Sequence, residues 1–259
     1  MARLQLRNCT IRICDGTRGT LVNQGVTYTS KVRGSEPPSI TLVVSGNNTA
    51  LSSSVANNRH IVVNLATDGS GVATTTATQL VAHLIASAAV SAVVTPTGSG
   101  ASALVALAKT SLSANSNYIE LKMGSGTLDF SEVRNYDTLL NRGVFEELVQ
   151  GDDAPMTVNA SGAWEELRSS AGATVPTWYE AWKKLGPAAT WSTSDANCNL
   201  FCLDLELIHT PACADVEPEV YIFPAIPHPN LGGNTGDRSF SLQCMCNAVE
   251  PIIYRKAAA

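Results

Sequence analysis

Residues 117–153 read NYIELKMGSGTLDFSEVRNYDTLLNRGVFEELVQGDD. A strand, the turn Gly124-Ser125-Gly126 and a second strand follow one another, so 117–123 and 126–133 are expected to pair as a hairpin. The chain then stays extended over 135–159 and carries many charges, with breaks at Gly143 and at Gly151-Asp152. The same character returns later. Phe201, Leu203, Leu205 and Leu207 alternate with Cys202, Asp204, Glu206 and Ile208, and 220–223 forms a further short strand. Phe240, Leu242, Cys244 and Cys246 alternate with Ser241, Gln243, Met245 and Asn247. Alternation of this kind describes sheets that bury one face.

Between these strands lies one helix. Thr177-Trp178-Tyr179-Glu180 is a capping box, in which the threonine caps and the glutamate three residues on reaches back. It places Trp178, Ala181, Trp182 and Leu185 on one face, with Lys183 and Lys184 in the last turn and Gly186-Pro187 as the stop. Trp178 and Trp182 mark this as a packing helix, each ring worth about 2–3 kcal/mol if fully buried.

At the start of the chain, 4–14 alternates well enough for a strand and ends at the turn Asp15-Gly16-Thr17. The next hundred residues differ in kind: rich in Ser, Thr, Ala and Val, with two acids and four bases over 19–113. Strands are expected at 26–29, 40–44, 60–65 and 103–106. A second capping box, Thr76-Ala77-Thr78-Gln79, opens a helix whose face carries Leu80, Val81, Leu84, Ile85 and Ala88. This is a small α+β module with one helix on a short sheet. The chain is therefore expected to be mainly β: a β-sandwich or small barrel with one flanking α-helix, formed by residues 1–18 and 114–259. Residues 19–113 are an α+β domain inserted in its first loop. A host tolerates such an insertion when its ends stay close.

Composition narrows the function. Hydrophobic residues are 44% and charged ones 15%, so the chain can bury a core and is not of the disordered class. The N-terminal residues lack the apolar stretch of a signal peptide. The run 80–94 is interrupted by His83 and two serines and falls short of the ~20 residues of a membrane span. A soluble protein made in a cytoplasm is expected. Residues 1–113 carry eight Lys/Arg against three Asp/Glu, a net of +5; residues 114–259 carry nine against nineteen, a net of −10. The acidic part cannot hold nucleic acid by neutralising phosphates.

No motif for catalysis stands out. The seven cysteines form no CxxC pair, and Cys198 and Cys202 would lie about 13 Å apart along a strand. Cys244 and Cys246 share a face with Phe240 and Leu242, where a thiol acts as a small hydrophobe. His60, His83, His209 and His228 are scattered without HxH or HExxH spacing, and His83 is expected on the solvent side of its helix. Residues 232–237, GGNTGD, lack the lysine and following helix of a phosphate loop. No cofactor, no metal and no enzymatic activity are expected. The acids Glu146, Glu147, Asp152 and Asp153 lie on an extended hairpin without a histidine or an apolar pocket to raise a pKa. They read as a solvated face.

Taken in order, several stretches resemble the tail tube (major tail) proteins of long-tailed bacteriophages. They are the hairpin Tyr118-Ile119-Glu120-Leu121-Lys122, then Arg134-Asn135, Leu140-Asn141-Arg142-Gly143 and residues 151–156, GDDAPM. Trp164-Glu165-Glu166 and the closing strand 240–247 with Glu250-Pro251 complete the set. The insert resembles a small module of phage tail and sheath proteins. The resemblance implies a virion structural protein that assembles in the host bacterial cytoplasm as hexameric rings stacked head to tail, the conduit for DNA during ejection. Hairpins of the subunits would close a β-barrel, and Glu146, Glu147, Asp152 and Asp153 would line its lumen as an acidic wall past which phosphates slide. The implied partners are further copies of the chain, the tape measure, tail tip or baseplate and tail terminator proteins, passing genomic DNA, and a sheath protein if the tail contracts; no membrane. The insert would lie outside the tube as decoration or clamp. Two other classes stay open: a virion or cell-surface binding module (a β-sandwich adhesin) that does not polymerise, and a hydrolase with an unrecognised site.

Overall fold

The structure is a computed structural model and describes residues 9–113, 116–121, 127–141, 144–163, 172–193, 201–211, 218–234, 236 and 239–255, with backbone alone at 139–141 and 144–146. Strands take 50% of the chain and helices 11%, so the expected mainly β class holds. The chain divides into two compact units, residues 1–15 with 118–253 and residues 16–117 with 254–259. Strand β1 (Cys9–Cys14) belongs to the first unit.

The second unit follows. Strands β2 (Thr20–Asn23), β3 (Val26–Ser30), β4 (Ser39–Val43), β5 (Ser52–Ala56) and β6 (His60–Asn64) lead to helices α1 (Ala77–Ala86) and α2 (Ala88–Ser91), then to β7 (Val94–Gly98) and β8 (Leu107–Ser111). They form two sheets where the sequence suggests one, ordered β2-β3-β7 and β5-β6-β4-β8. β4 and β6 run parallel. Both sheets and α1 share a core that includes Tyr28, Ile40, Ile61, Leu80 and Leu84. The capping box of α1 forms as expected: Gln79 N–H donates to Thr76 Oγ1 at 3.3 Å, and Thr76 N–H donates to Gln79 Oε1 at 2.9 Å. Its apolar face is narrower than the sequence suggests. Ala77, Leu80 and Leu84 are buried, whereas Ile85 is 58% exposed, since it sits about 110° around the helix from their mean direction at 100° per residue. Ala88 falls in α2, because the backbone leaves the helix at Ser87. The strand expected at 103–106 begins later, as β8. Val105 is instead clasped by Gln24, whose Oε1 accepts from Val105 N–H at 2.7 Å and whose Nε2 donates to Val105 O at 3.2 Å.

The chain returns to the first unit with β9 (Tyr118–Leu121), β10 (Thr127–Val133), β11 (Tyr136–Asn141), β12 (Val144–Gln150), β13 (Ala154–Ala163) and helix α3 (Trp178–Lys183). Then come β14 (Cys202–His209), β15 (Glu219–Pro227), β16 (Asn230–Asn234), β17 (Ser239–Met245) and β18 (Ile252–Arg255). One five-stranded sheet has the order β18-β15-β14-β1-β9 and one four-stranded sheet the order β10-β13-β17-β16. None of the described sheets closes into a barrel. Ile11, Ile13, Leu203, Leu205 and Phe223 of the first sheet share a core cluster with Met156, Val158, Phe240, Leu242 and Cys244 of the second.

Two expectations fail here for one reason: a strand's partner is chosen by tertiary packing, not by its neighbour in sequence. Residues 117–123 and 126–133 are not a hairpin. β9 pairs with β1 and β10 with β13, so the chain passes from one sheet to the other. The alternation of β14 also misleads. It puts Asp204 and Glu206 on the face opposite the core, yet both are 0% exposed. β14 is the central strand of its sheet and is buried on both faces.

Candidate functional site

The hairpin β11–β12 pairs antiparallel from Tyr136↔Gln150 to Asn141↔Val144 and hydrogen-bonds to no other described strand. A two-stranded ribbon by itself is marginal in water. This one leaves large apolar side chains in solvent: Tyr136 is 60% exposed, Leu148 58% and Val149 38%. Phe130 and Val133 on the adjoining β10 are 46% and 40% exposed. Exposed apolar side chains beside open ladder edges are features that suit coverage by a partner.

The four acids singled out in the sequence lie on β12 and at the root of the hairpin. Glu147 is exposed in β12, opposite Leu139. Glu146 lies in the same strand, with its side chain outside the described residues. Asp152 is exposed at the hairpin root, where its carbonyl accepts from Asn135 Nδ2 at 2.7 Å. Asp153 is engaged there too: Arg134 Nη1 approaches its Oδ2 at 3.3 Å, and Gln150 Nε2 donates to its Oδ1 at 3.1 Å.

A different surface emerges from the four-stranded sheet. Its core face carries Phe240, Leu242, Cys244 and Val158. On the opposite face the register aligns Asp129, Asn159, Gln243 and Asn230 in one row across all four strands. Thr127, Ser161, Ser241 and Gly232 form the next row. The Thr127 and Ser161 hydroxyls are 2.9 Å apart. Among the described residues Asp129 is the one charged side chain in these rows. No lysine or arginine stands in them to hold a phosphate. The sequence carries the signal in the small polar residues alternating along β13 and β17, but a search for paired carboxylates passes over it.

The packing helix seats as its capping box suggests. Glu180 N–H donates to Thr177 Oγ1 at 3.2 Å, and Thr177 N–H donates to Glu180 Oε2 at 3.0 Å. Trp182 is 0% exposed, and the half-buried Trp178 stacks on Phe240 with ring centroids 4.8 Å apart. Leu185 is off the face and 40% exposed. Lys184, at φ 53°, ends the helix in the left-handed conformation before Gly186-Pro187 is reached.

The far side of β14 carries a group of buried titratable side chains, Cys14, Asp204 and Glu206. Cys14 Sγ lies 3.8 Å from Glu206 Oε2. Burial, then the charges of Glu206 and Asp204, push its thiol well above the ordinary range, with Arg12 opposing. Cys244 and Cys246, both buried, are pushed up to about 12, chiefly by burial. Thiols held protonated in this way are poor nucleophiles and poor ligands. Asp204 Oδ1 accepts from Ala225 N–H at 2.8 Å, bracing the place where the β14–β15 register slips. Cys198 and Cys213 lie outside the described residues. His60 Nδ1 is 2.8 Å from Ser39 Oγ. His83, expected in solvent, is half-buried with Nε2 3.1 Å from Ser53 Oγ. His209 is buried at the end of β14, and His228 Nδ1 is 2.8 Å from Pro229 O. Among the described residues no group of three His, Cys, Asp or Glu could hold a metal ion, and no helix is long and apolar enough to cross a membrane.

Comparison with known protein families, curated proteins and solved structures returns no match.

Proposed function

We propose that this chain is a tail tube subunit of a long-tailed bacteriophage, assembling as hexameric rings that stack head to tail around a channel for DNA. The observation that carries the reading is the four-stranded sheet β10-β13-β17-β16, with both lateral edges unpaired among the described strands and two polar rows on its outer face that carry a single charged residue, Asp129. Open edges template further pairing, and a ring of such sheets joined edge to edge becomes a closed barrel without edges. The two sheets that share one core are then the β-sandwich of the subunit. The rows that begin at Asp129 and Thr127 would form the wall. Hydroxyl and amide groups there offer water a hydrogen-bonding surface and give phosphates no cation to grip. Asp129 contributes one carboxylate per copy, so the wall repels polyanions weakly and evenly. The exposed apolar residues of β11–β12 would be covered by neighbouring copies, which explains how so marginal a ribbon is maintained.

The test is assembly. The purified chain, concentrated and imaged by negative-stain electron microscopy with and without purified tail-tip complex, is expected to give rings or hollow filaments. Persistent monomer in the presence of the tip complex would overturn the reading in favour of a binding module that does not polymerise.

A further inference from the structure

We propose that Arg134 is the latch that fixes the direction of the β11–β12 hairpin relative to the sheets of its own unit. We propose also that this latch sets how the hairpin is presented to a neighbouring copy, a second half that rests on the assembly reading above. The β10–β13 ladder ends at the Val133↔Ala154 pair, and the β11–β12 ladder starts at Tyr136↔Gln150. Two residues on one side and three on the other separate them. This unequal break interrupts the ladder and is where the ribbon can bend.

Two contacts at the break tie its strands only to each other: Gly151 N–H to Asn135 O at 2.9 Å, and Asn135 Nδ2 to Asp152 O at 2.7 Å. They keep the linkers together but leave their direction open. Arg134 does more. One arm of its guanidinium reaches Asp153 Oδ2 at 3.3 Å across the break, and the other reaches Glu250 Oε2 at 3.1 Å in the turn after β17. A planar fork can hold two carboxylates in fixed directions at once, which a lysine ammonium on a flexible stem does poorly. The guanidinium therefore braces the hairpin root against the four-stranded sheet. Each pair is exposed and contributes little to global stability. Its effect is local, on a hinge that no other described strand supports.

The experiment measures backbone 15N relaxation and amide hydrogen exchange in the full chain, for the wild type, Arg134→Gln, Arg134→Lys and Glu250→Gln. In the wild type the amides of 136–150 are expected to tumble with the rest of their unit. In Arg134→Gln they should reorient independently, and exchange across the β11–β12 ladder should rise roughly two- to ten-fold while the thermal transition of the unit stays in place. Glu250→Gln should move the same way, and Arg134→Lys should fall between. Unchanged hairpin relaxation in Arg134→Gln, or independent motion already in the wild type, overturns the latch. Where the wild type forms filaments, Arg134→Gln should lengthen the lag and Arg134→Lys should partly restore it. Equal lags overturn the second half and leave the tube reading standing. A wild type that never forms hollow filaments sinks the tube reading and the second half together, and the relaxation data then decide the latch alone.

Discussion

Ala225 sits in β15 with φ 51°, a conformation that costs an alanine about 1–2 kcal/mol and a glycine almost nothing. The strain is held by its neighbours. Its N–H donates to the buried Asp204 carboxylate at 2.8 Å, and its carbonyl accepts from Asn247 N–H at 3.1 Å. Both contacts are made by the backbone, so Ala225→Gly keeps them. The substitution removes the strain but frees the unfolded chain, which returns about 0.4–1 kcal/mol. The expected net effect is a stabilisation of roughly 0.5–1 kcal/mol, or about 1–4 °C for a unit of this size. Ala225→Val, β-branched at positive φ, should destabilise. Tryptophan fluorescence is the natural assay, because Trp178, Trp182 and Trp191 lie in the unit that contains Ala225. A melt in which Ala225→Gly lowers the midpoint, or Ala225→Val leaves it alone, would refute the claim that the slip in register is bought with backbone strain.

Three further outcomes are expected. Thr76→Ala should cost about 0.5–2 kcal/mol through loss of the α1 cap, read as faster hydrogen exchange along α1; an unchanged rate would mean that packing alone fixes that helix end. The thiols of Cys244 and Cys246, pushed up to about 12 from an ordinary 9.0, favour the neutral form in the fold. Their contribution is intact below pH 9 and is lost as pH rises from 9 towards 12; urea titrations across that range should show falling stability, less steep in the Cys244→Ala, Cys246→Ala double variant. Finally, where the proposed filaments form, Asn159→Lys with Gln243→Lys should leave assembly intact but make them retain duplex DNA in a salt-dependent way; wild-type filaments that retain it equally would count against the outer sheet face as a channel wall.

What could be read from the sequence was local chemistry. Thr76 with Gln79 and Thr177 with Glu180 announce their helices because a capping box closes within four residues. The alternation of β17 was legible because one face is in the core and the other is wet: Leu242 and Cys244 are buried, and Gln243 and Met245 are exposed. The same rule failed at Asp204 and Glu206 because a central strand covered on both sides has no wet face to reveal. The pairing of β9 and β10 is not legible in the sequence, since a glycine turn between two strands says nothing about which sheet each joins. β2, β5, β7 and β16 leave little signal in the sequence because they are short and rich in Ser, Thr, Asn or Gly, with many exposed positions. At the candidate site the charged residues are plain in the sequence, while the row through Asn159 and Gln243 becomes a surface only when the register is known.

The place of β1 in its sheet has a consequence in time. It lies between β9 and β14, so Cys9 waits for His209, two hundred residues later in synthesis. Contacts of that separation form slowly, since the loop must close before any of them is rewarded. By the time β14 emerges from a ribosome, residues 16–117 are already complete and β11–β12 has already been made. The hairpin with its exposed apolar side chains thus exists before the sheet core that carries it. The order of synthesis leaves an interval in which that hairpin is exposed without its sheet, and its length is set by how fast a central strand made late finds a partner made two hundred residues earlier.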